Sequence, residues 1–150
     1  MSKTFPLQVL LDLAKTQSDE AARRLGELNR QNHDISNRLE LLQQYRQEYQ
    51  LRFDESVQKG MNQTELQNYR LFFSKLDDAI AQQQKLRMEF SQKIVAGQLE
   101  YQQKQKKLKS FETLADRHEL RESVKAARLE QKDQDEFSIK AFMRNRNEES

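Results

Sequence analysis

Apolar side chains recur along the first part of this chain at every seventh residue. One series runs Leu7, Ala14, Ala21, Leu28, Ile35, Leu42, Tyr49, and a second interleaves it as Leu11, Ser18, Leu25, Asn32, Leu39, Arg46, Phe53. These are the d and a positions of a heptad repeat held for about seven repeats, the pattern of a helix that buries one stripe against another helix. The polar a positions weaken that seam and fix its register. The pattern then restarts with a at Leu66, Phe73, Ile80, Arg87, Ile94, Tyr101, Leu108, Ala115 and d at Tyr69, Leu76, Gln83, Phe90, Gly97, Lys104, Phe111. Past about residue 115 the frame slips, and Leu120, Val124 and Ala127 follow a different phase.

Between the two series stands "QKGMNQTEL", residues 58–66. Gly60 can take the left-handed conformation that ends a helix. Asn62 can cap the next one, with Glu65 three residues on as the partner of a capping box. Stop, short turn and start within a few residues spell a helical hairpin, against the competing reading of one continuous helix that tolerates a glycine. The predicted fold is therefore all-α: a long antiparallel two-helix coiled-coil hairpin whose second helix extends beyond the first. It is expected as a single domain over 1–150, with helix one at about 5–57, the turn at about 58–62 and helix two at about 63–140. Placing Phe53 opposite Tyr69 sets Tyr49 against Phe73, Leu42 against Ile80, Leu28 against Ile94 and Leu7 against Ala115. In that register small residues meet large ones: Ala21 faces Tyr101, Ala14 faces Leu108 and Gly97 faces Leu25, the complementarity a packed seam needs. Helix one runs out where helix two loses its frame, so 117–150 is expected as an unpaired extension, frayed at its end.

Composition agrees with the pattern. Of 150 residues, 33% are charged and 35% hydrophobic, with no Trp, three Gly and one Pro, which is poor material for a globular core and good material for long helices. The absence of cysteine excludes disulfides and thiolate metal sites. The start, "MSKTFPLQVLLDLAK", has only a short apolar run before Asp12, so neither a signal peptide nor a membrane span is expected, and a cytoplasmic location is. No nucleophile–base arrangement, phosphate-binding glycine loop or metal spacing occurs, so neither an enzyme nor a cofactor is expected. His33 and His118 read as surface residues, and Asp77–Asp78 as solvated charge.

Two surface features remain. Lys85, Arg87, Lys93, Lys104, Lys106, Lys107 and Lys109 face only Glu89 and Glu100 over 85–109, a stretch that is either a solvated basic face or an attractor for an acidic protein, a membrane or nucleic acid; aromatic interleaving for bases is weak, so no nucleic acid is expected, nor a small-molecule ligand. The g positions beside the seam near the turn are Arg38 and Tyr45 on helix one and Phe72, Ala79 and Leu86 on helix two, whereas the e flank reads Ser36, Gln43, Gln50, Arg70, Asp77, Gln84. One flank is apolar and the other polar, which marks either an interface or a widened core.

"LDLAKTQSDEAARRLGEL" (11–28), "LLQQYRQEY" (41–49) and "RLEQKDQDEF" with the following "MR" (128–144) resemble the FliJ family of flagellar type III export proteins. Residues outside the seam carry the likeness, notably Asp19, Arg23, Gly26, Glu27, Asp135, Glu136 and Phe137. The resemblance implies a non-enzymatic antiparallel coiled coil similar to the central stalk of rotary ATP synthases. It implies association with the export ATPase FliI and its regulator FliH, whose ring assembly such proteins promote. It further implies contact with the export gate protein FlhA and with export chaperones, at the cytoplasmic side of the inner membrane. The family's gate-facing surface maps onto Leu42, Tyr45, Tyr49, Phe72, Leu76 and Ala79; Arg38 and Gln83 lie on it too but depart from the residue types expected there. A chaperone or chaperone-escort role for export substrates is the alternative reading.

Overall fold

The computed structural model describes residues 4–149. The fold is an all-α hairpin of two helices, α1 (Gln8–Lys59) and α2 (Gln63–Glu148), with no strand among the described residues. Helix α1 has 52 residues and α2 has 86, so the second is much the longer. Pro6 lies in the turn before α1, where a residue without an amide hydrogen costs nothing. The Gln8 amide closes that turn by donating to the Phe5 carbonyl at 3.0 Å.

The reversal is built as its residues dictate. Gly60 has φ 90°, a conformation that side-chain-bearing residues rarely adopt. Its amide donates to the Val57 carbonyl at 3.2 Å and closes α1. The Asn62 side-chain oxygen accepts from the Glu65 amide at 2.8 Å and caps α2. Only half of the expected capping box forms: among the described residues no bond runs from the Glu65 carboxylate back to Asn62, and Glu65 lines a groove with Arg52 and Asn68 instead.

Internal contacts divide the chain into two compact units. One is Asp19–Gln103, which contains the turn. Its buried residues are Ala21, Ile35, Leu39 and Leu76, all at expected a or d positions. Phe53 meets Tyr69 edge-on at 5.4 Å between ring centroids, and the Leu25 side chain lies 3.5 Å from where a Cβ on Gly97 would stand. Both pairs are the ones the heptad register places opposite each other. Two interhelical ion pairs border this seam, Arg24–Glu100 and Arg46–Asp77, each at 2.6 Å. All four side chains are substantially exposed, so solvent screening leaves both pairs weak. The a-position Arg46 reaches out of the seam: its guanidinium lies 5.4 Å from the Phe73 ring centre, and its hydrogen bond to Asp77 holds its pKa above the ordinary value. Arg87, also an expected a position, is exposed because its long stem lets the charge escape to water. Two amide side chains in or near the seam carry a cost, since the buried Asn32 Oδ1 and Gln83 Oε1 have no hydrogen-bond partner.

The other unit joins the residues up to Ser18 to those from Lys104 onward. Ala14 and Ser18 are buried there, and the Phe5 and His118 rings lie 5.6 Å apart. Leu7, an expected d position, precedes α1 and is 37% exposed. From Ser123 to Lys140 every side chain is exposed. Helix α2 nevertheless continues to Glu148, past the expected end near 140, because "RNRNE" contains neither Gly nor Pro to stop it.

Gly60 and Gly97 should respond oppositely to the same change. Gly60→Ala forces a Cβ into a positive-φ conformation and should destabilise the hairpin by about 1 kcal/mol. Gly97→Ala places a methyl in ordinary contact with Leu25 and Leu28 and removes a helix-interior glycine, and should stabilise by about 0.5–1 kcal/mol. Urea unfolding followed by circular dichroism separates the two signs.

Candidate interaction surface

The surface singled out by the sequence lies in the Asp19–Gln103 unit, beside the turn. The structure sorts its eight residues into free and engaged side chains. Arg38 is exposed, and Tyr45 is 45% exposed although it is aromatic. Leu42, Tyr49, Phe72, Ala79 and Gln83 are half-buried. Leu76 is buried in the seam and presents nothing to a partner.

Phe72 departs from the heptad expectation. A g position should stand clear of the seam, yet the Phe72 ring stacks on Tyr49 with centroids 4.0 Å apart and planes 28° from parallel. The reason is reach: a phenyl ring at a flank position is long enough to fold over the seam and shed water from both faces. Tyr49 is covered further by Arg52, whose guanidinium lies 5.5 Å from the ring centre.

These rings form one wall of a shallow groove of about 400 Å³ lined by Tyr49, Arg52, Glu65, Asn68, Tyr69 and Phe72. Arg52, Glu65 and Asn68 put polar groups of both signs around an aromatic floor. Heptad reasoning missed Arg52, although it is the next g position after Tyr45 and so carried a readable signal. A smaller groove of about 220 Å³, lined by Gln31, Asp34, Ile35, Arg38, Leu86 and Phe90, brings Arg38 next to an apolar wall. Farther along the exposed side of α1, Arg30 donates to Glu27 at 2.6 Å, and that bond draws the Glu27 carboxyl below its usual pKa.

An aromatic floor, an exposed tyrosine and flanking guanidinium groups stand together on this flank. Among the described residues no cluster of three or more His, Cys, Asp or Glu side chains could hold a metal ion, and no helix is long and apolar enough to cross a membrane. His33 is exposed, and His118 packs on Phe5.

Comparison with known proteins shows the family. The flagellar FliJ protein family matches residues 2–147, nearly the entire chain. The chain belongs to the flagellar FliJ protein family. A FliJ protein of Salmonella typhi is 31% identical over 144 residues, covering 96% of this chain and 98% of the relative. One from Escherichia coli (strain K12) is 30% identical over the same length and coverage. The FliJ likeness thus spans the turn, the aromatic groove beside it and the long exposed end of α2.

The packing predicts unequal costs for the two flank aromatics. Phe72→Ala removes a stacked ring and should destabilise the hairpin by about 1–2 kcal/mol. Tyr45→Ala removes a largely exposed ring and should change stability by less than about 0.5 kcal/mol. Thermal melts of the two single variants provide the check.

Proposed function

We propose that this FliJ-family chain is a non-enzymatic component of the flagellar type III export apparatus, a stalk that promotes assembly and activity of the export ATPase ring and links it to the export gate. FliI, with its regulator FliH, is the ring partner in this reading, and the cytoplasmic part of FlhA is the gate partner. The observation that carries it is the family match across residues 2–147, which includes both regions the two contacts need.

The turn-proximal surface supports the gate contact. Tyr45 and Arg38 are exposed there and free to bind, while Phe72, Tyr49, Ala79, Leu42 and Gln83 offer only partial surfaces, and Leu76 acts by holding the helices together. The end of α2 supports the ring contact. Leu120, Phe137 and Phe142 are 66%, 72% and 68% exposed on a helix that the rest of its unit leaves uncovered. A helical segment of this kind gains little from propensity alone and is stabilised when a partner buries its apolar groups. The proposed site of action is the cytoplasmic face of the inner membrane, reached through these partners.

Two titrations test the reading. Full-length chain added to FliI should raise its ATPase rate, and a chain ending at Ala115 should not. A truncated chain that stimulates fully would remove the ring role from the end of α2. A full-length chain without effect that instead co-purifies with export chaperones would favour the escort role. For the gate contact, Tyr45→Ala should fold normally and weaken binding to the cytoplasmic part of FlhA at least about tenfold, as expected for an aromatic interface anchor. Gln43→Ala, on the polar flank, should bind like the unaltered chain.

A further inference from the structure

The end of α2 is two-sided in charge. At about 100° per residue, Arg117, Arg121, Lys125, Arg128 and Lys132 fall in one sector roughly 80° wide. No other residue from 117 to 132 falls in that sector, so the side is cationic at every position over about 22 Å. Asp116, Glu119, Glu122, Glu130 and Asp133 lie on the opposite side. All five cations are exposed. Among the described residues Lys125 is ion-paired, to Glu122 at 3.8 Å, and Arg117, Arg121, Arg128 and Lys132 make no ion pair. Arg117 and Arg121, Arg121 and Lys125, and Arg128 and Lys132 stand four residues apart, a spacing at which like charges repel. The stripe therefore costs the helix stability and gains little from the chain itself.

We infer that this stripe docks on a protein surface that presents a row of carboxylates, and that the ring partner carries that row. The inference rests on the reading of the end of α2 as the ring contact and adds the chemistry of that contact. Steps of four, four, three and four residues place a cation at each helical turn, about every 5–6 Å, the interval at which a facing helix repeats its own carboxylates. Three of the five are Arg, whose planar guanidinium grips a carboxylate with two parallel hydrogen bonds. Leu120 and Val124 border the stripe, 66% and 41% exposed, so a partner that approaches the cations covers apolar surface as well. Five carboxylates balance the five cations between 116 and 133, so an acidic surface is attracted from one side alone. That fixes the rotation of α2 about its own axis in the complex. A lipid surface does not fit, because a helix in a bilayer interface needs an apolar face opposite its cations and here that face is acidic. Nor does single-stranded nucleic acid, since 116–133 offers no Phe, Tyr or Trp on which a base could stack.

Titration of the full-length chain into FliI, read as ATPase rate, tests the stripe. Arg121→Glu with Arg128→Glu, at exposed positions, should keep the helix content seen by circular dichroism. It should raise the concentration needed for half-maximal stimulation at least about tenfold. Arg121→Gln with Arg128→Gln, which adds no carboxylate, should shift it in the same direction by less. Added salt should weaken stimulation by the unaltered chain more than by the reversed one. Glu119→Lys with Glu130→Lys reverses as many charges on the opposite side and should stay within about twofold of the unaltered chain, because salt screens charges a helix diameter away. An unaltered chain that leaves FliI unstimulated removes the ring reading and this inference with it. An unaltered chain that stimulates, beside a reversed chain that stimulates as well, overturns the stripe and leaves the ring reading standing. Equal and opposite shifts in the two charge-reversed chains would assign the effect to net charge and overturn it too. A reversed chain that stimulates normally but no longer sediments with phosphatidylserine vesicles would assign the stripe to a lipid surface instead.

Discussion

The hairpin rests on one constraint: two helices with too little apolar surface to stand alone must share a narrow strip of side chains, and they can share it only if the chain reverses at the right residue. Gly60 supplies the reversal through its positive φ, and Asn62 starts the return helix by capping it. From there the heptad spacing does the rest. Ala21, Ile35, Leu39 and Leu76 disappear from solvent in the unit that holds the turn, while the charged residues between them remain outside. Small residues belong to this seam as much as large ones: Ala21 is buried in it, and Gly97 lies against Leu25 and Leu28. The ion pairs at its edge contribute little energy, but Arg24–Glu100 and Arg46–Asp77 suit one alignment of the helices and not its neighbours.

A seam this narrow leaves most of each helix surface unused for folding, and the proposed contacts with other molecules draw on that remainder. The flank beside the turn carries Tyr45 and a groove floored by aromatic rings; the end of α2 carries exposed Leu and Phe side chains. A compact globular domain would have to sacrifice core to expose as many apolar groups. Here their exposure costs the hairpin nothing because they lie outside its seam, which is a physical reason for a docking component to be built from two helices.

Much of this was legible from residue spacing. The turn followed from Gly60, Asn62 and their positions between two heptad series, and the facing pairs Phe53–Tyr69 and Leu25–Gly97 followed from one choice of register. What spacing could not give was side-chain reach. A heptad letter assigns a direction to a residue but no length, so it placed Phe72 beside the seam when its ring lies over Tyr49, and it placed Arg87 in the seam when its charge lies in water. Nor could the pattern fix the end of α2, since past Ala115 no heptad frame marks the last turn and only a breaker residue would have done so. The family likeness, carried by residues outside the seam such as Asp19, Arg23 and Gly26, contributed what periodicity cannot: heptads recur in proteins of every role.

The central claim is that the two helices of one chain pair antiparallel in a single register. Cysteines at Leu28 and Ile94, which that register sets face to face, test it directly in a chain with no other thiol. Oxidised at low concentration, the double variant should form an intrachain disulfide, seen as a faster-migrating monomer on a denaturing gel without reductant. Crosslinks found only between chains, or none at all while Leu28 paired with a cysteine one heptad away from Ile94 reacts readily, would contradict the register and the hairpin built on it.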